Sequence, residues 1–386
     1  MREVAVLGLG QTPVDEHWDR SLVSLAGEAA LGALNDAGVD RPDTLIVSNM
    51  LSGTGTGTQL NLGALIADWC GLKGLEAYKA EAACGSGGAA FRAGVHAVGS
   101  GLVDLALVVG VEKMTQTPGA VTTADLATAA DGDYEAAHGP SFIALNALVM
   151  RRYQHEYGWK HDDFAPFSLN AHANAARNPY ARLHQPITRE EYRRARMVCE
   201  PINLLDSSPI GDGAAAVVLA PADRLARDGH RPRVVVAGSG AATDSLAVHD
   251  RHDPLWLAAA EGSARQAYAQ AGVGPEDIDF FELHDAFSIM AALSLEAGGF
   301  AERGQGPRFA LEGKILPKGR LPIATHGGLK ARGHPVGATG VYQIVEVARQ
   351  LWGAAADNQL PGPRVGMAQN IGGSGATVFT HILRIA

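Results

Sequence analysis

The run His326-Gly-Gly-Leu-Lys-Ala-Arg-Gly-His334-Pro-Val-Gly-Ala-Thr-Gly340 stands directly before the helix-like segment VYQIVEVARQLW at residues 341–352. A neutral imidazole at the start of a helix can accept the proton of a thiol or hydrogen-bond a carbonyl oxygen. A lone histidine is more often structural, so the meaning of His334 depends on the rest of the chain.

A second glycine-rich run could supply that thiol. Glu81-Ala-Ala-Cys84-Gly-Ser-Gly-Gly88 leads into the helical pattern AAFRAGVHAV. The positive end of the helix dipole favours a thiolate over a thiol at such a position. The pattern is similar to a nucleophile elbow. Tight packing of a small buried cysteine among Gly and Ala would explain the same residues equally well.

Two further runs carry polar groups. Glu282-Leu-His284-Asp285-Ala-Phe-Ser288 follows a buried strand, and Asn370-Ile-Gly-Gly-Ser-Gly375 lies near the C-terminus. The glycine-rich backbone of the second run can offer N–H groups to a developing oxyanion. Taken alone, each run could be no more than a strand end or a tight turn.

Two stretches of the chain repeat the same order of elements. Residues 2–12 (REVAVLGLGQT) and 231–243 (RPRVVVAGSGAAT) are both apolar, β-rich runs that contain Gly-x-Gly. Helical patterns follow around residues 22–33 and 255–271. Both lead into Ala-Gly-Val, where Gly38 is expected to cap the first helix.

A further strand follows each helix, DTLIVSNM from Asp43 and DIDFFELHD from Asp277. Any α/β protein repeats strand–glycine–helix units, but the matching order and the shared tripeptide favour a duplicated fold. We therefore divide the chain into an N-terminal half, 1–230, and a C-terminal half, 231–386.

Two glycine-rich stretches are interpreted as turns rather than nucleotide sites. GLGQTP, from Gly8, lacks the third glycine of a dinucleotide-binding fingerprint. GTGTGT, from Gly53, lacks the lysine of a phosphate-binding loop.

Continuous apolar runs at 103–111 and 214–219 are typical of strands covered on both faces. The stretch between them, about 119–205, is rich in Arg, His, Tyr and Asn, and no counterpart is apparent in the second half. We interpret it as an insert with short helices, for example over 144–157. Inserts on rigid α/β cores often carry binding functions.

Bulk composition excludes several classes. The net charge of −9 over 386 residues argues against non-specific nucleic-acid binding. Three scattered cysteines without a CxxC pair argue against a disulfide framework and a structural zinc site. No apolar run approaches the roughly 20 residues of a membrane span, and no signal peptide is apparent, so we expect a cytoplasmic protein.

The four motifs, in this order and spacing, resemble the thiolase superfamily over essentially the whole chain. GGLKARGHPVGATG is highly specific to that family, and VGVEKMTQTP at 109–118 and SSPIGDGAAAVVL from Ser207 add to the resemblance. HDAFS looks closest to the sterol-carrier-type and archaeal-type acetyl-CoA acetyltransferases. The resemblance implies a five-layer αβαβα fold from two similar halves, with an inserted loop domain that helps hold coenzyme A.

The resemblance also implies roles for residues. Cys84 would be the acyl-accepting nucleophile, activated by His334. His334 and His284 would form one oxyanion hole, and the backbone N–H groups of Cys84 and Gly372 a second. From the internal repeat we further expect Cys84 and His334 to face each other at corresponding helix starts.

Coenzyme A is implied as a substrate, with no tightly bound cofactor and no metal. Candidate residues for binding it lie within the family motifs: Lys330, Arg332, Ser288 and Met114. Arginines of the insert could add to the phosphate contacts: Arg193, Arg194 and Arg196.

The sequence departs from the family at the acid/base. Ordinary thiolases carry a second cysteine where this chain has Asn370, and sterol-carrier-type thiolases carry one where it has Ala286. His284 could take the role, and His326 and His138 are weaker candidates.

Three functions stay open at this stage. The first is acyl transfer that makes or cleaves a β-ketoacyl-CoA such as acetoacetyl-CoA. The second is retro-aldol cleavage of a β-hydroxyacyl-CoA, with His284, Tyr134 or Tyr153 as base. The third is a CoA-ester-binding subunit of a complex. The resemblance implies a homodimer or homotetramer, with a zinc-ribbon/OB-fold protein as a candidate partner.

Overall fold

A computed structural model describes residues 2–224 and 231–386 of the chain. Most of its strands belong to one sheet, to which both halves of the chain contribute. In chain order the strands are Val4–Gln11 (β1), Thr44–Ser48 (β2), Glu76–Ala80 (β3), Ala106–Glu112 (β4), Met197–Cys199 (β5), Ile202–Asn203 (β6), Gly213–Pro221 (β7), Val234–Thr243 (β8), Phe280–Glu282 (β9), Val365–Gly372 (β10) and Thr377–Ile385 (β11).

The α-helices alternate with these strands. They are Leu22–Ala37 (α1), Leu62–Trp69 (α2), Ser86–Ser100 (α3), Gly119–Ala127 (α4), Phe142–Tyr157 (α5), Ala165–Ala175 (α6), Arg189–Arg194 (α7), Ala258–Ala271 (α8), Ser288–Ala297 (α9), Gly306–Leu311 (α10) and Thr339–Trp352 (α11). As expected, Gly38 ends α1 in the left-handed conformation, and Gly272 ends α8 in the same way.

The nine-stranded sheet has the order β3-β2-β4-β7-β1-β8-β11-β10-β9. Read outward from its centre, β1-β7-β4-β2 in the first half corresponds to β8-β11-β10-β9 in the second. The halves meet where β1 pairs with β8 at Ala5 and Val235. The predicted α/β fold from two similar halves is confirmed.

The apolar side chains of the sheet separate into layers because neighbouring strand residues point to opposite faces. In the first half, one face packs on α1 and α2, through residues such as Leu25 and Ile66. In the second half, the outer face packs on α8 and α9. Between the halves lie α3 and α11, packed on the inner faces of both. The order αβαβα follows.

One turn prediction is wrong. Gly8 and Gly10 lie inside β1, where a side chain would collide with the backbone of α1 at Ala33 and Ala29. Gly238 in β8 is in the same position against α8. The Gly-x-Gly repeat therefore lets a helix lie directly on a strand. The second prediction is confirmed, because GTGTGT forms turns and bends.

The two halves differ most in one connection. Residues 113–212 join β4 to β7 and include α4 to α7, whereas residues 373–376 alone join β10 to β11. The predicted boundary at residue 230 lies outside the described residues. No helix in the described part of the chain is long and apolar enough to cross a membrane.

Candidate active site

A cavity of about 170 Å³ opens between the insert and the core. Cys84, His284 and His334 all line it, so the structure brings together three side chains predicted from separate motifs. The insert lines the cavity with three apolar side chains and three polar ones: Leu126, Phe142, Ile143, Thr123, Ser141 and Asn146. Cys84 precedes α3 and His334 precedes α11, and both line this one cavity.

Cys84 lies in the turn between β3 and α3. The preceding residue, Ala83, has a φ of 51°, a left-handed conformation that costs a non-glycine residue free energy. The Ser86 hydroxyl closes the turn, because it accepts from the Ala82 N–H at 2.9 Å and donates to the Ala83 carbonyl at 2.6 Å. Such strain is typical of a nucleophile elbow.

The expectation of a resting thiolate is wrong. Burial of the sulfur, together with the negative charge of Glu112, raises the pKa of Cys84 to about 12. These two effects outweigh a backbone hydrogen bond to the sulfur, which lowers the pKa. Cys84 is therefore a neutral thiol near pH 7 and needs a base to react.

Glu112 is a buried carboxylate that the sequence analysis passed over. It accepts hydrogen bonds from the backbone N–H groups of Met50 at 2.8 Å and Gly337 at 3.0 Å, and from the Asn49 amide at 2.7 Å. Burial raises its pKa to about 7. Glu112 thus connects the end of β4 to the loop before α11. Its sequence signals are an acidic residue at the end of an apolar strand and its place in the run VGVEKMTQTP at 109–118.

The hydrogen bonds of His334 define its neutral form. Thr339 Oγ1 donates to the Pro335 carbonyl at 3.2 Å, so it accepts from His334 Nδ1–H at 2.7 Å. Burial, with the nearby positive charge of Arg332, lowers the pKa of His334 well below its usual value. The neutral ring therefore keeps a lone pair on Nε2, which is the form of a general base.

His284 lies 5.2 Å from His334 between ring centroids, with the rings nearly perpendicular. Asn370 fixes its neutral form. The Asn370 amide accepts from Gly88 N–H through Oδ1 at 2.9 Å, and donates through Nδ2 to the Cys84 carbonyl at 3.0 Å. These two bonds set the orientation of the amide, so Nδ2 also donates to His284 Nδ1, 3.3 Å away.

It follows that His284 carries its proton on Nε2. Burial lowers the pKa of His284 to about 3, so the ring is neutral at physiological pH. The two histidines therefore differ: His334 offers a lone pair at Nε2, and His284 offers an N–H donor.

Gly372, the last residue of β10, lies beside the nucleophile turn. A side chain on Gly85 would lie 3.0 Å from the Gly372 nitrogen, and a side chain on Gly372 would collide with the Ala82 carbonyl. The absence of side chains thus lets the backbone approach Cys84 closely. This position agrees with the suggested backbone oxyanion hole, which stays a prediction.

Lys330 and Arg332 are not placed to bind the phosphates of coenzyme A. Both are about 1% exposed. Lys330 donates to the Asp206 carbonyl, and Arg332 pairs with Glu346 at 2.6 Å. We replace that prediction with a structural role for both side chains.

Ser288 and Met114 are also enclosed. Ser288 is fully buried at the first residue of α9. Met114 packs with Val336 and Cys84 beneath the cavity, and its backbone N–H donates to Asp212 at 2.7 Å. Neither side chain lines the cavity, so neither is placed to touch coenzyme A.

The other base candidates lie elsewhere. The Tyr153 hydroxyl donates to Glu296 at 2.5 Å, and Tyr134 is largely exposed. His326 pairs with Thr325, and His138 lies on the surface. None of these four lines the cavity. The described residues also contain no group of three or more His, Cys, Asp or Glu arranged to hold a metal ion.

The insert arginines are exposed, but two of them are already paired. Arg193 contacts Asp162 at 2.8 Å, and Arg194 contacts Glu190 at 2.7 Å. Arg196 is exposed.

Comparison with known proteins gives matches along nearly the whole chain. Residues 4–223 match the family "Thiolase, N-terminal domain", and residues 240–385 match "Thiolase C-terminal domain-like". An acetyl-CoA acetyltransferase of Methanothermobacter thermautotrophicus is 44% identical over 99% of both chains.

Two similar proteins carry other names. The 17-hydroxy-3-oxo-4-pregnene-20-carboxyl-CoA lyase of Mycobacterium tuberculosis is 32% identical over 92% of both chains. A solved structure described as "Ltp2-ChsH2(DUF35) aldolase" superposes with a TM-score of 0.85 at 25% identity, covering 99% of this chain and 98% of that one.

The family matches, the full-length relatives and the shared fold lead to one conclusion: the chain belongs to the thiolase family and is an acetyl-CoA acetyltransferase-like enzyme that acts on acyl-CoA esters.

Proposed function

We propose that this enzyme transfers an acyl group through a thioester on Cys84, and so makes or cleaves a β-ketoacyl-CoA such as acetoacetyl-CoA. The observation that carries the proposal is the pairing of a neutral thiol with an unprotonated imidazole nitrogen, His334 Nε2, at one cavity.

The first half-reaction uses both groups. His334 Nε2 takes the proton from Cys84 as the sulfur forms a bond to the thioester carbonyl carbon. The oxyanion that develops accepts a hydrogen bond from His284 Nε2–H. The bond to the sulfur of coenzyme A then breaks, and that sulfur takes the proton from His334. A covalent intermediate divides one difficult step into two.

Intact mass spectrometry after brief incubation with acetyl-CoA or acetoacetyl-CoA tests the proposal. We expect an acetyl adduct on the native chain and none on Cys84→Ala. Cys70→Ala is the matched control, because Cys70 lies outside the cavity and should leave the adduct unchanged. A native chain that binds acyl-CoA but forms no adduct would refute acyl transfer.

Retro-aldol cleavage of a β-hydroxyacyl-CoA is the second candidate. Ala286 and Asn370 stand where thiolases carry an acid/base cysteine, and one similar protein is a lyase. Against it, neither tyrosine offered as a base lines the cavity. Release of a ketone or aldehyde from a β-hydroxyacyl-CoA by the Cys84→Ala variant would favour the lyase.

We also propose that a partner protein helps to bind coenzyme A. The two basic residues of the GGLKARGHP motif are buried, and no Lys or Arg stands among the residues that line the cavity. The similar aldolase structure is described together with a DUF35 protein. Titration calorimetry of the isolated chain with coenzyme A tests this, and tight binding would contradict it. Light scattering tests the homodimer or homotetramer.

A further inference from the structure

The hydrogen bonds of Asn370 bear on the missing second cysteine. Asn370 stands at one of the two positions where thiolases carry that residue, yet its amide neither accepts nor releases a proton at neutral pH. Instead it contacts the Cys84 carbonyl in the nucleophile turn and the Gly88 N–H in the first turn of α3, and it reaches His284 with its remaining N–H.

This arrangement determines what His284 can do. A ring nitrogen that accepts a hydrogen bond holds its lone pair there, so in the neutral ring the proton is on the other nitrogen. Nδ1 of His284 is occupied by Asn370, and Nε2 carries the proton. His284 can therefore donate to a carbonyl oxygen but has no free lone pair for a carbon acid.

His334 is the one other base among the described residues that line the cavity. Apart from the two histidines and Cys84, the described lining residues are apolar, glycine, hydroxyl or amide side chains. Cys84 itself is unavailable once acylated. The acidic residues in or beside the motifs do not line the cavity and accept hydrogen bonds elsewhere: Glu81 from Ala83 N–H, Glu282 from Thr325 N–H, Asp285 from Leu329 N–H, and Glu112 from three backbone N–H groups.

We propose that His334 is the single acid/base of both half-reactions, and that Asn370 is a positioning residue that holds His284 as a hydrogen-bond donor. The inference deepens the proposed function and rests on it. It reverses the expectation from sequence, in which His284 was the leading substitute for the missing cysteine.

The second half-reaction balances with these groups alone. His334 returns to its neutral form when coenzyme A leaves. Its Nε2 then removes a proton from the α-carbon of a second acyl-CoA, while His284 Nε2–H stabilises the enolate oxygen. The enolate carbon bonds to the acyl carbon, the bond to Cys84 breaks, and the thiolate takes the proton back from His334.

Exchange of the acetyl protons of acetyl-CoA in D2O tests the base without requiring an acyl-enzyme. We would follow it by NMR in the native chain and in a Cys84→Ala background. His284→Gln keeps an N–H donor but lacks a basic lone pair, and His334→Gln removes the base. We expect His334→Gln to slow exchange by about 10²- to 10⁴-fold. His284→Gln should slow it by no more than about tenfold.

Three results would overturn the assignment: no exchange in the native chain, exchange that persists without His334, or exchange that disappears in His284→Gln. The Cys84 adduct is read separately by mass, so failure of the proposed function and failure of this inference are distinguishable. An adduct with exchange dependent on His284 refutes only the single base.

The role of Asn370 needs a readout other than rate. In protein labelled with ¹⁵N-histidine, the native chain should show His284 protonated at Nε2. Asn370→Asp replaces the donor by an acceptor, and the proton should move to Nδ1. Acetyl transfer should fall in that variant while the melting temperature stays within a few degrees of the native chain. A native His284 already protonated at Nδ1 would refute the role.

Discussion

The two halves share a strand order but differ in what they bring to the cavity. The first half supplies the nucleophile, in a strained turn whose surroundings raise the pKa of the thiol. The second half supplies both imidazoles, in surroundings that lower their pKa values. Burial acts on all three groups, and its sign depends on the charge of the ionised form. The duplicated fold thus places a neutral thiol and two neutral imidazoles at one cavity.

Ion pairs show a second difference between the halves. In the first half, buried Lys113 contacts Asp212 at 3.3 Å, and Asp212 also accepts hydrogen bonds from Met114 and Thr115. In the second half, Arg332 and Glu346 meet at 2.6 Å, and the Glu346 oxygens have no hydrogen-bond partner among the described residues.

Breaking these pairs should give the largest effect. Arg332→Met leaves the Glu346 charge buried without compensation and should lower the free energy of unfolding by about 3–5 kcal/mol. Lys113→Met should cost less, since Asp212 keeps its other donors. Denaturant unfolding of both variants measures the contrast. Equal losses would show that the two pairs are equivalent.

The contact between α3 and α11 should give the next effect. A side chain on Gly340 would collide with Gly88 N and with the Asn370 amide. Gly340→Ala should cost about 1–3 kcal/mol of stability and also reduce acylation of Cys84. Gly119→Ala in α4 is the control, because nothing lies within 4 Å of that position. A stable, fully active Gly340→Ala would mean that the helices can separate freely.

The insert and the core should affect selectivity differently. Phe142 is half-buried and lines the cavity from the insert, and Met290 lines it from α9. Phe142→Ala should raise kcat/KM for a longer acyl chain, relative to acetyl, by about tenfold. A change of that size is what one methylene group of a substrate contributes in a hydrophobic pocket. Met290→Ala opens the core side and should lower stability more than it changes selectivity. Unchanged selectivity in Phe142→Ala would place chain-length choice outside the insert.

The pH dependence of acylation should show the smallest change. His334 has a lowered pKa, so its basic form persists below the usual imidazole value of about 6.5. Cys84 has a pKa of about 12, so no thiolate accumulates up to pH 8. Glu112, whose pKa is about 7, changes charge within this window, but Cys84 and His334 stay neutral throughout it. The acetylation rate constant should therefore vary by less than about threefold from pH 6 to pH 8. Stopped-flow acetylation measures this, and a tenfold fall toward pH 6 would indicate an ordinary histidine.

The sequence predicted those parts of the site that consist of unusual residues in glycine-rich runs. Cys84 and His334 are predicted from glycine-rich runs that precede helices and allow close approach, whereas His284 is predicted from the run ELHDAFS after a buried strand. Lys330 and Arg332 are misassigned because they are basic residues within the family motif and so were candidates for the phosphates of coenzyme A. Their partners, Asp206 and Glu346, are paired with them only by the tertiary fold.

The ring nitrogen that carries the proton in each histidine could not be predicted either. It depends on Thr339 for His334 and on Asn370 for His284, and Asn370 is brought to His284 by the pairing of β10 with β9. The duplication of the strand–helix–strand units, in contrast, follows from local repeats that the sequence displays directly.

The contact of α3 with α11, where Gly88, Gly340 and Asn370 meet, limits how the two halves of the chain can diverge in sequence. Two copies of a duplicated unit can differ wherever each packs only on itself, as the loop after β4 (residues 113–212) differs from the loop after β10 (residues 373–376). Where α3 contacts α11, the two halves cannot change independently. The amide that serves the first copy's nucleophile is encoded in the second copy, and it fits only while both helices keep glycine. A substitution at one of these three positions then requires a matching substitution in the other half, so we expect the three residues to change together or not at all.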